Sequence, residues 1–390
     1  MASDISQDLG RAEDVLGPRS DWPVSWHCAV QLCLEAAMPM SLGLGADLHL
    51  VYNQAYSDIA GMRHPEAFGR PLLEVWDEAE EILRPMLDQL GRDGTASAMV
   101  DCPLSLTRRG FLEECFFTFS LSPLRDPDGT ITGVVNPTME TTKAVLARRR
   151  LGTISALAVA GRQSATVSEH LQAALLAVAG NPHDLPFALF YESGRASKRN
   201  PSLLGSVGLD GGLPVLVSAL DDPESALRAM IGTVGDIEGP VVVTELDKIV
   251  PELSTGPWPE PATTALVIGL TPTKPGAPDL IMLGTSPRLQ LDVDYRAFLV
   301  MVADQLQLDL GVVVAAEAER ERATNLEIAL ETSRHIGAAI GILMGVNRIT
   351  EEQAFQLLRE TSQRSHRKLR DVADYVLETG SLPGGSVVPK

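Results

Sequence analysis

Cysteine is scarce in this sequence: of 390 residues only Cys28, Cys33, Cys102 and Cys115 carry a thiol, and none follows position 115. None stands in the paired spacing of a zinc site, so no metal centre is expected, and buried thiols are the reading in a reducing compartment. No uninterrupted apolar run of membrane-spanning length is evident. The opening MASDISQDLGRAEDVL is acidic where a signal peptide is basic and then apolar. A cytoplasmic location without membrane contact is therefore expected. Also missing are a nucleophile beside a base, a phosphate-cradling glycine loop and a metal-ligand cluster, so no catalytic residue, no cofactor and no enzymatic activity are expected. Basic residues are in deficit too, with 32 Lys and Arg against 51 Asp and Glu and a net charge of -19, which ordinarily repels a nucleic acid.

That deficit is unevenly distributed. Residues 320–380 hold nine basic and nine acidic side chains, whereas the first 319 residues carry a net charge of -20. The acidity belongs to the front of the chain. An apolar share of 45% is ample for packed cores, and the length exceeds what one core usually organises, so several domains are expected.

After an N-terminal segment, residues 1–25, the stretch 26–142 alternates short apolar runs with turn signals. Along 115–122, Cys115, Phe117, Phe119 and Leu121 fall on one face and Phe116, Thr118, Ser120 and Ser122 on the other, the period of a strand. Pro127-Asp128-Gly129 supplies a turn before a second strand around 131–135. The residues Tyr52-Asn53, Ala55-Tyr56, Gly61, His64-Pro65, Gly69, Pro71, Trp76, Gly110, Glu113-Glu114, Phe117-Thr118-Phe119-Ser120 and Ser122-Pro123 together resemble a PAS domain. The resemblance implies a five-stranded antiparallel sheet with helices over one face and a pocket for a small ligand. A flavin photosensor of this fold carries an Asn-Cys-Arg stretch, and residues 61–71 contain no cysteine. His64, beside a proline, reads as a packing residue rather than a haem ligand.

Residues 143–310 follow, opening on the basic run Arg148-Arg149-Arg150 and then apolar positions at helical spacing over 151–178, stopped by Gly180-Asn181-Pro182. Strands are expected at 187–191, 213–218, 241–244, 263–270 and 280–285. The helix-then-sheet order, with Tyr295, Phe298 and Ala303 in a closing helix, resembles a GAF domain. The resemblance implies either a dimerising connector or a site for an unidentified small molecule, a possibility shared with the PAS-like domain. A bilin thioether is excluded because the region has no cysteine, and the Asn-Lys plus Phe-Asp-Glu signature of cyclic-nucleotide binders is absent.

From 294 to 344 there is no proline, which suits a long helix interrupted at most at Gly311, Gly337 or Gly341. Within it Leu326, Leu330, Ser333, Gly337, Ile340 and Met344 are spaced alternately by four and three, the seam of a parallel helix pair. Residues 311–345 are thus expected to form a coiled coil that merges into the last domain, and the protein to be a homodimer.

The end of the chain reads as three short amphipathic helices. The first presents Ile336, Ala339, Ile340 and Leu343 on one side. The second starts at Thr350, whose hydroxyl and Gln353 form a capping box, and buries Ala354, Leu357, Leu358 and Thr361. The third, from about His366 to Glu378, buries Leu369, Val372, Ala373 and Val376 and stops at Gly380. Between residues 359 and 370 the local charge is +4, from Arg359, Arg364, Arg367, Lys368 and Arg370 against Glu360. Ala339-x-Gly341-Ile342-Leu343-Met344, Glu352, Ala354-Phe355, Leu357-Leu358-Arg359, Ser362 and the run from Arg367 to Ala373 closely resemble the ANTAR domain, over 325–380. The resemblance implies an RNA-binding antiterminator that holds stem-loops in the terminator region of mRNA leaders as a dimer. The candidate contacts are Arg359, Arg364, His366, Arg367, Lys368 and Arg370, with Arg334, Gly337, Ala338 and Gly341 on the first helix. Where many family members carry lysine before the glycine, this chain has Ile340.

The fold class expected is thus multidomain α+β: PAS-like and GAF-like antiparallel sensor domains, a long helical connector, a three-helix ANTAR bundle and a flexible tail at 381–390. Two rivals stay open. His335 sits where a sensor histidine kinase would place its phospho-acceptor, although Ile336-Gly337-Ala338-Ala339 follows it and no ATP-binding domain fits in the remaining length. A DNA-binding helix-turn-helix is the other, its turn falling at 361–365.

Overall fold

A computed structural model describes residues 5–192, 202–209, 211–231, 239–250, 253, 256–271, 273 and 277–384. Most of the expected tail lies outside them. The chain forms two compact units, Met1–Ser164 with Ser168–Leu310, and Ala165–Val167 with Gly311–Lys390. It is a multidomain α+β protein.

The first unit opens with α1 (Ile5–Leu16) and α2 (Val24–Glu35), followed by β1 (Met40–Leu44) and β2 (His49–Tyr52). The helices α3 (Gln54–Ala60), α4 (Leu72–Val75) and α5 (Glu80–Asp93) lead to β3 (Ser97–Thr107), β4 (Leu112–Arg125) and β5 (Ile131–Glu140). The strands pair antiparallel in the order β2-β1-β5-β4-β3. The alternation read from the sequence is present, since Cys115, Phe117, Phe119 and Leu121 are buried, and β4 extends beyond 115–122 at both ends. Leu9 and Ala12 of α1 and Trp22 and Trp26 join the same core, so the N-terminal segment is packed onto this sheet.

Two of the motif residues act locally. Asn53 caps α3 by accepting from the Tyr56 N–H at 3.0 Å, and its amide donates to the carbonyls of Ala36 and Met38. Gly61 has φ +57°, and a Cβ there would lie 2.5 Å from the Arg108 carbonyl oxygen, so both conformation and space require glycine. His64 Nδ1 lies 3.0 Å from the Tyr52 hydroxyl. The cavity inside this fold, bounded by Tyr56, Trp76, Phe117 and Phe119, measures about 40 Å3. Ligand pockets run to several hundred Å3, so this cavity is small by comparison.

The second sheet repeats the strand order of the first. After α6 (Thr142–Gln163) and α7 (Val167–Ala179) come β6 (Ala188–Glu192), β7 (Ser202–Val207), α8 (Leu213–Asp221), α9 (Ala226–Ile231), β8 (Val241–Val243), α10 (Leu246–Ile249), β9 (Ala265–Gly269) and β10 (Leu280–Gly284). Its order is β7-β6-β10-β9-β8, again antiparallel. Every residue of β6 and β10 is buried, as a strand covered on both faces requires. The helix-then-sheet order expected of this region is thus present.

Three local expectations are corrected. Residues 213–218 form the start of α8 rather than a strand: a short apolar run has no period to distinguish the two, and Pro214, in the first turn, suits a helix start. The helical stretch over 151–178 is two helices, α6 and α7, divided at Ser164. That residue is extended, and its hydroxyl donates back to the Ala160 carbonyl at 2.7 Å. The half-exposed strand β7 has no clear alternation in SLLGSV and was not anticipated.

Charged side chains join the two sheet domains. Arg149 of α6 makes a bidentate pair with Glu114 of β4 at 2.7 and 2.9 Å and a bond to Asp184 at 2.7 Å, while Arg150 reaches Asp184 at 3.0 Å. The Glu114 N–H donates to the Arg288 carbonyl at 2.9 Å, and the Arg288 guanidinium donates to Ser105. Arg108, 1% exposed, is held bidentately by Glu140 at 2.7 and 2.8 Å. Burial disfavours its charge, but the Glu140 contact outweighs that cost and holds its pKa above the ordinary arginine value.

The closing helix α11 (Val293–Asn347) runs unbroken through Gly311, Gly337 and Gly341, so the interruptions allowed for do not occur. It also corrects the hydropathy reading. Over eighteen residues it reaches a mean hydropathy of 1.7, long and apolar enough to cross a membrane by that measure. Its Phe298, Leu299, Val302, Ala303, Leu306 and Leu310 are buried, the pattern of a core helix. Nearby, Gly161 of α6 admits Asp309 of α11: a Cβ at 161 would sit 2.3 Å from the Asp309 Cγ. His170 of α7 is fully buried. Burial lowers its pKa, against the opposing pull of Asp309.

In the second unit the end of α11 meets α12 (Glu351–Ser365) and α13 (Leu369–Thr379). Ala339, Leu343, Ala354, Leu358, Val372, Ala373 and Val376 form the centre of their core. The Thr350–Gln353 capping box is present, and Gly380 ends α13 in the left-handed conformation. Residues 361–365, read as a turn, are the last turn of α12, and α13 starts at Leu369 rather than near His366. His366 itself is the left-handed cap of α12, at φ 55°.

Candidate nucleic-acid interface

The link between α12 and α13 is short and tied by its own hydrogen bonds. The His366 N–H donates to Gln363 at 3.4 Å and the Arg367 N–H to Ser362 at 3.2 Å, while the Ser362 hydroxyl donates to the Arg367 carbonyl at 2.6 Å. A sharp, fixed turn results. It brings Arg364, His366, Arg367 and Lys368 together at one end of the bundle, with Arg359 a turn and a half back on α12 and Arg370 in the first turn of α13. All six are exposed.

Their charge is largely unspent. Arg370 pairs with Asp371 at 3.3 Å, whereas Arg359, Arg364, Arg367 and Lys368 enter no ion pair among the described residues. The Arg364 guanidinium lies 3.5 Å from the Thr361 hydroxyl. The Arg367 guanidinium lies over the Tyr375 ring, 6.0 Å from its centroid. Tyr375 is a residue that sequence reasoning missed: it lies outside the basic run and comes beneath Arg367 only once the turn closes. The one signal available was an aromatic on an amphipathic helix two turns past a cation.

On α11, Arg334, Gly337, Ala338 and Gly341 follow the i, i+3, i+4, i+7 pattern and are all exposed, opposite buried Ala339 and Leu343. A Cβ on Gly337 or Gly341 would meet nothing within 4 Å, so packing within this chain does not require their small size. His335 Nδ1 lies 2.7 Å from an Asp374 carboxylate oxygen, tying α11 to α13.

The residues read as a helix-pair seam divide. Leu326 and Leu330 stand 61% and 59% exposed, and Ser333 and Gly337 are exposed as well. Ile340 and Met344 instead pack against the three-helix core.

Comparison with known proteins bears on both ends of the chain. Residues 324–377 match the family model described as the ANTAR domain, and residues 36–145 the one described as a PAS fold. No curated protein matches the sequence. Among solved structures, an RNA-binding Light-Oxygen-Voltage receptor aligns at 20% identity over 33% of this chain and 36% of its own, with a TM-score of 0.26. A sensory box sensor histidine kinase from Vibrio cholerae aligns at 16% identity over 30% of this chain and 87% of its own, with a TM-score of 0.20. A bacteriophytochrome from the photosynthetic bacterium R. palustris aligns at 16% identity over 82% and 68%, with a TM-score of 0.33. The chain spans about a third of the length of the first of these. With the two family matches placed on the sheet and the helical bundle described above, the chain carries a PAS fold at its front and an ANTAR domain at its end.

Proposed function

We propose that this protein is a signal-responsive, cytoplasmic RNA-binding regulator, not an enzyme, that binds stem-loop RNA as a homodimer and so prevents a transcription terminator from forming. The observation that carries the reading is the tied α12–α13 turn within the ANTAR domain, with four exposed cations that no carboxylate among the described residues neutralises. Phosphate contacts come from Arg359, Arg364, Arg367, Lys368 and Arg370, with His366 at the apex of the turn. The uncrowded face of Arg334, Gly337, Ala338 and Gly341 offers close approach to an RNA backbone. The exposed pair Leu326 and Leu330 begins the dimer seam, and each further seam residue adds to it only as far as the three-helix core leaves it free.

A gel-shift titration tests this directly. Purified full-length protein is set against an RNA of two hairpins overlapping a terminator, a scrambled RNA without hairpins, and duplex DNA of equal length. Preference for the two-hairpin RNA, with affinity falling steeply as salt rises, is the expected result. Equal binding to duplex DNA would replace the reading by a DNA-binding one. Failure to bind any hairpin RNA would remove it.

A further inference from the structure

The first unit contains a second cavity, and it is far larger than the one inside the PAS fold. It lies where β4, the start of α6 and the residues leading into α11 meet, and its volume is about 500 Å3 against about 40 Å3 inside the first sheet's fold. Only the larger falls in the range of small-molecule pockets, roughly 300–1,000 Å3. Cavities of about 990 and 1020 Å3 along α5 are more open to solvent, so the junction of the two sheet domains is the more enclosed place with room for a ligand.

The chemistry of the walls narrows the class of ligand. Cations and carboxylates line the cavity in equal number, and most are already matched within the protein: Arg108 with Glu140, Glu114 with Arg149, Arg288 with Glu260. What is left without an ion pair among the described residues is one ammonium and two carboxylates, and one of the two, Asp292, already accepts from the Tyr295 N–H. The Lys143 ammonium and the Asp294 carboxylate make no ion pair among the described residues. In the same lining Glu113, 5% exposed, keeps its Oε1 without a hydrogen-bond partner among the described residues, although Arg108 and Arg109 hold its other oxygen. A buried acceptor left unused is costly, and a bound donor is what relieves it.

We propose that this junction cavity is the sensor's ligand site and takes a small zwitterion of the free α-amino-acid class, its carboxylate toward Lys143 and its ammonium toward Asp294 and Glu113. The site is also placed to act on α11. Asp292 accepts from the Tyr295 N–H at 2.8 Å and so fixes the first turn of that helix, and Asp294 lies within the turn. A ligand held by Asp294 engages the first turn of the same continuous helix that ends in the ANTAR core. This inference is independent of the RNA reading, and its failure leaves that reading untouched.

The test is thermal unfolding of the full-length protein with each free L-amino acid in turn at about 5 mM, followed by calorimetric titration of those that act. At least one amino acid raises the midpoint by about 2 °C or more, an effect lost when its amine is acetylated or its carboxylate esterified. Lys143→Gln and Asp294→Asn each weaken its binding about tenfold or more, while the midpoint without ligand stays within about 1 °C of the parent's, because both side chains lie at the surface. The proposal is overturned if no amino acid moves the midpoint. It is equally overturned if the shift survives blocking of either ligand group, or if binding is unchanged in both variants.

Discussion

Tyr375 and Arg367 illustrate how a single pairing alters the chemistry of a surface. A guanidinium alone attracts phosphate. Over an aromatic ring it also presents a flat, weakly hydrated face on which an unpaired base can stack. Replacing Tyr375 by Leu is expected to weaken binding to hairpins with open loops by about 1–3 kcal/mol, and Tyr375→Phe to retain most of it, as measured by filter binding. Equal losses for an open loop and a fully paired stem would reject the stacking role. Lys368, which touches no ring, is expected to act through charge alone. Lys368→Ala lowers affinity for every hairpin similarly and reduces the slope of log K against log salt by about 0.7 on single-stranded RNA. The cations were legible in the sequence because charge is a property of each residue by itself. Tyr375 was not, because its role depends on a turn whose closure rests on Ser362 and on a left-handed His366.

His170 makes a separate point about titration at the same scale. Its folded pKa is depressed by burial, so the neutral ring stabilises the fold above the ordinary histidine range, and that contribution is lost as pH falls through it toward the lower folded value. Denaturant unfolding between about pH 7 and 5 is expected to show a loss of stability on acidification that His170→Leu flattens. An identical pH slope in the variant would assign the loss to other groups.

Among the elements, those with a strong period were readable and those without one were not. The capping box at Thr350 and Gln353 is a local arrangement of four residues, and it stands as the sequence implies; Thr350→Ala is expected to cost about 1 kcal/mol in chemical denaturation. The segment 213–218 is apolar without period, and only its proline at the first turn favoured a helix. The division between α6 and α7 has no proline to announce it, and the nearest glycine, Gly161, stays inside α6. The helix-pair seam was readable as a spacing but not as an assignment, since Ile340 and Met344 lie at the junction of two apolar faces and serve the three-helix core. The dimer is therefore expected to depend most on Leu326 and Leu330. Replacing both by Asp shifts light-scattering mass toward the monomer, because an unpaired carboxylate buried in a seam costs several kcal/mol. A parent protein that is monomeric at every concentration would exclude the seam altogether.

For the whole molecule the dominant fact is the separation of charge, with a net of -20 on the first 319 residues and none on residues 320–380. An acidic body on the same chain lowers the local concentration of RNA around the basic turn, more so at low salt where screening is weak. Residues 325–390 joined to an independent parallel coiled coil are expected to bind the two-hairpin RNA more tightly than the full chain at low ionic strength, the difference closing as salt rises. Equal affinities at every salt would show that the front of the chain exerts no electrostatic penalty.

The unbroken α11 has one more consequence. Every residue from 319 to 331 is exposed, so over more than three turns this helix has no core of its own to lean on. An isolated helix of that length is marginal in water. Its backbone amides are consequently the part of α11 whose protection against deuterium exchange reports the presence of a second chain. Slow exchange in this stretch at high protein concentration, giving way to fast exchange on dilution while the flanking turns stay protected, would turn a bare length of helix into a direct gauge of assembly.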